Sequence, residues 1–246
     1  MPGAITKVVE RLSRYVPARV THRLVKYRLV QAILFRIVDK HDAELLFQKA
    51  WARRFRKDPD VLVRYWREFR QFDRIRTLVN EQSRVLDVGC GISTILHALP
   101  GERVGVDALA DAYKTIYEYP AGLRIEQASA ESLPLDDASF DLVFCSNALD
   151  HMTSPTSALN EMRRVLRPNG RLVLTVEIFP DGAHRDPAHP HALDEATVRQ
   201  LLTNSGFEVE EAKLSPWIGI SRYLEGVRTS DEFELLVLAS PVNAAA

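Results

Sequence analysis

The sequence predicts an α/β fold, a mostly parallel seven-stranded sheet with helices on both faces and an N-terminal helical extension. Three observations predict it. After residue 80, short apolar runs alternate with helical patterns, which calls for parallel strands covered on both sides. The run Val85-Leu86-Asp87-Val88-Gly89-Cys90-Gly91 reads as a buried strand ending in an acid and a glycine-rich turn. Twenty residues beyond Asp87, Val104-Gly105-Val106-Asp107 reads as a second apolar strand that again ends in an acid, the spacing of a βαβ unit.

Taken in order, the chain begins with a cationic arm. Residues 1–36 carry Lys7, Arg11, Arg14, Arg19, Arg23, Lys26, Arg28 and Arg36 against the single acid Glu10. Ile5, Val8, Val9, Leu12 and Val16 recur at helical spacing, which predicts an amphipathic helix with a basic face. Docking on the main domain, or pairing with a second copy in a homodimer, is preferred over peripheral contact with an anionic membrane, because the apolar stripe is short and has no tryptophan. Helical patterning continues from Asp42 to about Asn80, broken at Asp58-Pro59, where proline can open a new helix. Tyr65, Trp66, Phe69 and Phe72 form a stripe whose first reading is core packing and whose alternative is a roof over a ligand pocket. Arg53, Arg54, Arg56 and Lys57 read as a solvated helix face, and no nucleic-acid module accompanies them. The extension therefore spans residues 1–80 and the main domain residues 81–246.

Strands are expected near 84–89, 103–107, 123–127, 140–146, 171–178, 207–213 and 233–240, with helices between them. Ser154-Pro155 is a capped start for a helix through Leu166, Asp194 caps the next, and Gly206 stops it. The last two strands are joined without a helix of the usual length, which predicts a closing antiparallel hairpin with a long connection.

With 246 residues, 46% hydrophobic and 26% charged, at a net charge of −1, the composition is that of an ordinary soluble enzyme. No apolar run reaches the ~18 residues of a membrane span, and the start lacks a signal-peptide core, so a cytoplasmic location is expected. Cys90 and Cys145 fall at strand ends without metal-type spacing and read as reduced and structural.

An acid beside two glycines at a strand-to-helix turn suggests a nucleoside cofactor, since glycine lets the backbone approach the ligand and a carboxylate accepts from ribose hydroxyls. The third position of the dinucleotide fingerprint is Thr94, which disfavours NAD. At this turn the chain resembles the class I S-adenosylmethionine-dependent methyltransferases, especially their small-molecule group. The likeness continues in order through Ser129-Ala130-Glu131-Ser132-Leu133-Pro134, Ser139-Phe140-Asp141-Leu142-Val143-Phe144 and Arg164-Val165-Leu166-Arg167-Pro168-Asn169-Gly170-Arg171-Leu172.

The resemblance implies a Rossmann-like sheet closed by an antiparallel pair, with S-adenosylmethionine as the cofactor. It implies that Asp87, Gly89 and Gly91 line the methionine end, that Asp107 holds the ribose, and that Ala130 and Glu131 lie at the adenine. Ser129 stands where the family commonly has aspartate. Ser146 and Asn147 would close the fourth strand beneath the sulfonium. An alcohol acceptor must lose its proton, and His151 follows the fourth strand where the methyl should emerge, so His151 is the preferred base, with Asp150 orienting it or acting itself. The histidines and aspartates of residues 181–191 border the acceptor pocket. They could hold a divalent ion such as magnesium, but their irregular spacing favours hydrogen bonding to a polar acceptor. The expected activity is O-methylation of a small polar molecule, preferably a sugar or glycoside. An apolar acceptor such as a quinone precursor or lipid, or a cofactor-binding protein without turnover, is the alternative.

Overall fold

The structure is a computed structural model that describes residues 40–69, 71–178, 190–191, 193–229 and 233–242. The amphipathic arm expected at the N-terminus lies outside the described residues. Three helices precede the sheet: α1 (Lys40–Lys57), α2 (Val61–Glu68) and α3 (Phe72–Arg76). Helix α1 stops before Asp58-Pro59, because the ring of Pro59 disfavours helical geometry at Asp58; α2 opens two residues past the proline, at Val61. Val61, Leu62, Tyr65 and Trp66 form the buried face of α2, while Arg64, Arg67 and Glu68 face solvent.

The seven strands are β1 (Arg84–Val88), β2 (Glu102–Asp107), β3 (Leu123–Gln127), β4 (Phe140–Ser146), β5 (Leu166–Ile178), β6 (Phe207–Pro216) and β7 (Phe233–Pro241). Their order is β3-β2-β1-β4-β5-β7-β6. The pairs from β3 to β5 are parallel, and β7 runs antiparallel between β5 and β6, so the expected antiparallel closure is present. Helix α4 (Ala110–Lys114) connects β2 to β3, α5 (Pro155–Val165) β4 to β5, α6 (Glu195–Asn204) β5 to β6, and α7 (Ile220–Leu224) lies within the long final connection. The predicted caps hold: the Ser154 and Asp194 side chains accept from Ser157 N–H and Thr197 N–H, and Gly206 takes φ 73° after α6.

Two features depart from the sequence pattern. Strand β5 starts directly after α5, with Leu166 opposite Phe140, and its register shifts before Leu142 meets Arg171; Pro168, which has no N–H to give, sits inside the bulge. Helices are also absent from two connections where they were expected. Between β1 and β2 there is only a 3-10 turn, Ile95–His97, because residues 89–101 must also contain the glycine turn and the bend at Pro100-Gly101. The β3 to β4 connection has no helix, and Arg164 of α5 holds it instead, donating to Leu135 O at 2.8 Å and Leu133 O at 2.9 Å.

Alternate residues of the central strands point to two apolar layers. Leu86, Val104, Val143 and Leu174 pack against Ala158, Leu159 and Met162 of α5 and Val198 and Leu202 of α6. Val85, Leu142, Phe144, Val173 and Leu236 pack against Trp66, Phe72 and Ile75 of α2 and α3, with Trp66 edge-on to Phe144 at 5.6 Å. The aromatic stripe is thus core at Tyr65, Trp66 and Phe72, and half-buried at Phe69. Cys90 and Cys145 are buried and free, and burial pushes both thiols up, away from the reactive thiolate. No helix among the described residues is long and apolar enough to cross a membrane.

Glu234 interrupts the second layer. It is 3% exposed on β7, opposite Glu177 of β5, and its Oε2 has no partner among the described residues. Burial pushes its carboxyl up to about 8, with the neighbouring Glu177 adding and a hydrogen bond with Thr175 opposing. A carboxyl raised in the fold binds its proton more tightly there than in the unfolded chain. Its contribution is therefore fully present below the ordinary value of 4.5 and is lost as pH rises through about 8. Glu234→Gln keeps the shape without the ionisation. Urea unfolding across pH should show the variant gaining on the wild type between these limits, by at most roughly 1.4 kcal/mol per pH unit.

Candidate functional site

The strand order reverses between β1 and β4, since the chain leaves β1 toward β2 on one side and returns to β4 on the other. Such a switch point opens a crevice at the carboxyl ends of the strands. Gly89, directly after β1, has φ 75° and donates its N–H to Val106 O at 2.8 Å. A Cβ there would stand 2.4 Å from the Ala148 Cβ, so only glycine allows the ends of β1 and β4 to come this close. Gly91 has φ 49°, and its N–H donates to Asp107 Oδ2 at 3.0 Å while Leu109 N–H donates to Oδ1 at 2.8 Å. The half-buried Asp107 carboxylate therefore ties the glycine turn to the end of β2.

Asp87 lies beneath this turn, 3% exposed, and accepts from the Thr94 hydroxyl at 2.5 Å. Burial raises its carboxyl to about 7, opposed by the Thr94 hydrogen bond and reinforced by the charge of Asp107. Asp87 thus fixes the entry to the 3-10 turn, and Thr94 passes the restraint on by accepting from Leu96 N–H at 3.1 Å. The structure brings Asp87, Gly89, Gly91 and Asp107 into one cluster.

Four side chains absent from the sequence-level site also touch the turn. Trp66 Nε1 donates to Ser93 O at 2.7 Å, and the Tyr119 hydroxyl donates to Gly91 O at 2.9 Å. His97 Nε2 lies 3.3 Å from Ile92 O. Gln48, buried on α1, places Oε1 3.5 Å from Ile92 N and donates from Nε2 to Glu44 Oε1 at 2.7 Å. Each comes from another element or a later position, so no local motif marks it.

The remaining predicted residues sit around the end of β4. Ser146 shares a 2.7 Å hydroxyl contact with Thr175 of β5. Asn147 follows with φ 46°, and its Oδ1 is buried with no partner among the described residues. Asp150 and His151 occupy a second 3-10 turn, Leu149–His151; Asp150 is 4% exposed, and its Oδ1 stands 3.9 Å from His151 Nε2, beyond direct hydrogen-bond reach. This turn rests on the crevice, because His151 N–H donates to the carbonyl of Ala148, the residue facing Gly89. Ala130 is half-buried against the first core layer. The Glu131 carboxylate accepts from the N–H groups of Thr153 at 2.8 Å and Ser154 at 3.2 Å, tying the β3 to β4 connection to the start of α5. In the polar stretch 181–191, residues 181–189 lie outside the described residues, and His191 Nε2 is 2.9 Å from Met152 O, against the turn that carries His151.

Comparison with known proteins agrees with this geometry. Residues 86–174 match a family described as a methyltransferase domain. The uncharacterized methyltransferase YcgJ of Bacillus subtilis is 33% identical over 144 residues, covering 55% of this chain and 54% of the relative. A ubiquinone biosynthesis O-methyltransferase of Xanthomonas axonopodis is 25% identical, covering 55% of this chain and 68% of the relative. A solved YcgJ structure superposes with a TM-score of 0.52 at 20% identity, covering 70% of this chain and 97% of that one. The chain spans about half the length, or less, of the first curated relatives it matches.

The contact between Gly89 and Ala148 is the tightest point of the site. Gly89→Ala should destabilise the fold by roughly 1–3 kcal/mol, through the left-handed backbone and the overlap with Ala148. A Gly89→Ala, Ala148→Gly double variant should recover the steric part, as measured by urea unfolding of both proteins.

Proposed function

We propose that the chain, whose residues 86–174 match a methyltransferase domain, is a class I S-adenosylmethionine-dependent methyltransferase that methylates the hydroxyl of a small polar acceptor, a sugar or glycoside being the preferred class. The observation that carries the proposal is the turn at the switch point, with Asp107 tying Gly91 and Leu109 beside the end of β4. The residues present fit the cofactor. Asp107 accepts from Gly91 N–H and Leu109 N–H, which sets a carboxylate, the group that accepts from ribose hydroxyls, at the glycine turn. The Asn147 Oδ1, buried and without a partner among the described residues, is a negative dipole end at the close of β4 that suits a cationic sulfonium.

When bound, the cofactor supplies an electrophilic methyl group for in-line transfer, so positioning contributes most of the rate. The chain's own residues supply the rest. Asp107 holds the ribose, and Gly89 and Gly91 let the backbone approach the amino-acid end. Ser146 and Asn147 close β4 beneath the reacting centre. His151, half-exposed on the turn that rests on Ala148, takes the acceptor's hydroxyl proton at a ring nitrogen, and the buried Asp150 orients that turn or accepts the proton itself. The ubiquinone biosynthesis O-methyltransferase among the relatives supports the hydroxyl reading. That same relative, a ubiquinone biosynthesis enzyme, favours an apolar acceptor as the second reading. Magnesium held by the histidines and aspartates of the stretch 181–191, mostly outside the described residues, is the alternative way to acidify the hydroxyl.

Incubation with labelled cofactor against panels of sugars, glycosides, quinols and amines, with magnesium or with chelator, tests the assignment. Transfer to sugar hydroxyls is expected, and transfer confined to amines or quinols overturns it. Asp107→Ala should weaken cofactor binding about ten- to a hundredfold by calorimetry. His151→Ala should lower kcat by ~10² to 10⁴ while leaving cofactor affinity nearly unchanged, and Asp150→Asn should be the more damaging change if the carboxylate is the base.

A further inference from the structure

The turn after β1 has no helix to hold it. In a strand-turn-helix unit the first helical turn fixes the peptide planes of the loop, but here only the 3-10 turn Ile95–His97 follows. Three successive carbonyls are held by ring donors instead. Gly91 O accepts from the Tyr119 hydroxyl at 2.9 Å, Ile92 O faces His97 Nε2 at 3.3 Å, and Ser93 O accepts from the Trp66 indole at 2.7 Å. Burial lowers the His97 pKa to about 4, so the ring is neutral at physiological pH and can hold Ile92 O through an Nε2 proton.

A trans peptide is planar, with its C=O and N–H pointing in opposite directions. Pinning the carbonyls of Gly91, Ile92 and Ser93 therefore aims the N–H groups of Ile92, Ser93 and Thr94 the other way. The first of these faces an acceptor oxygen, Gln48 Oε1 at 3.5 Å. The rings of Trp66 and Tyr119 are anchored independently of the turn. Trp66 packs edge-on against Phe144 at 5.6 Å, and Tyr119 packs against Tyr117 at 5.0 Å.

We propose that Trp66 and Tyr119 are positioning residues for the cofactor, holding the glycine turn open toward its amino-acid end in place of the missing helix. The proposal rests on the cofactor reading above. It gives the N-terminal extension a direct part in cofactor binding, because Trp66 belongs to α2 and reaches a turn 27 residues away.

Calorimetry of the full-length chain with S-adenosylmethionine and with S-adenosylhomocysteine tests it. Trp66→Phe and Tyr119→Phe each remove the donor and keep a ring. Each should weaken both ligands about three- to tenfold, the losses multiplying in the double variant, while thermal midpoints move only a few degrees. Ile75→Ala, a core truncation on α3 that removes no hydrogen-bond donor to the turn, should lower the thermal midpoint further and leave both affinities unchanged. In protein labelled with ¹⁵N-tryptophan, the indole signal that Trp66→Phe removes should move on adding S-adenosylhomocysteine, and by more than those of Trp51 and Trp217. Wild-type affinity in both donor variants, or losses that merely track stability as in Ile75→Ala, overturns the positioning role. A wild-type chain that binds neither ligand removes the cofactor reading and this proposal together, an outcome distinct from the first.

Discussion

The short path from β1 to β2 constrains the rest of the site. Residues 89–101 must leave the sheet, turn, and return at Glu102, which Pro100 and Gly101 accomplish with Gly101 at φ 91°. A Cβ on Gly101 would come within 2.2 Å of Ser83 O, so this bend requires glycine just as the turn at Gly89 does. With no regular helix in between, few backbone groups of the turn find helical partners, and buried polar backbone must be paired somewhere. Thr94, Asp107, Tyr119, His97 and Trp66 are the observed solution.

This arrangement explains which parts of the molecule were legible in the sequence. Strands that carry the core, such as Val104–Val106 and Phe140–Cys145, are apolar runs with a period that only a buried sheet satisfies, and they appear where the pattern put them. The start of β5 was hidden because Arg167-Pro168-Asn169-Gly170 reads as a turn, whereas the structure absorbs it as a bulge behind Leu166. The cluster of Asp87, Gly89, Gly91 and Asp107 was legible because residue type and spacing both reflect backbone geometry. Trp66, Tyr119 and Gln48 were not, since their contacts to the turn span 27, 28 and 44 residues and depend on how helices cross the sheet. Glu131 shows the converse. Its place in the motif order was legible, but the N–H groups its carboxylate accepts belong to Thr153 and Ser154, across the β4 connection.

The two layers of the core also differ in character. The layer under α2 and α3 contains Asp87, Thr175 and Glu234 among its aromatic side chains, whereas beside the layer under α5 and α6 the buried Asp150 and Ser205 lie at the ends of elements, on the turn after β4 and at the close of α6. Buried carboxyls subtract from stability unless the fold gains elsewhere. Two of the three buried carboxyls among the described residues, Asp87 and Glu234, lie on the face covered by the N-terminal helices, the pattern expected where polar chemistry is built into a rigid sheet.

The insertion of β7 leaves β6 at the margin of the sheet, where its outer row of backbone groups has no neighbouring strand among the described residues. An unguarded ten-residue margin of this kind would invite another copy to add itself as an eighth strand. Here the register slips between Val209 and Glu211, and Glu208, Glu210 and Glu211 crowd the same stretch with negative charge. The irregularity twists the margin away from a flat template, while Glu210 and Glu211 are tied back to Arg171 and Arg74 of the same chain and keep charged pairs along the margin. A molecule that places its antiparallel closure in this order thereby resists growing into a continuous sheet.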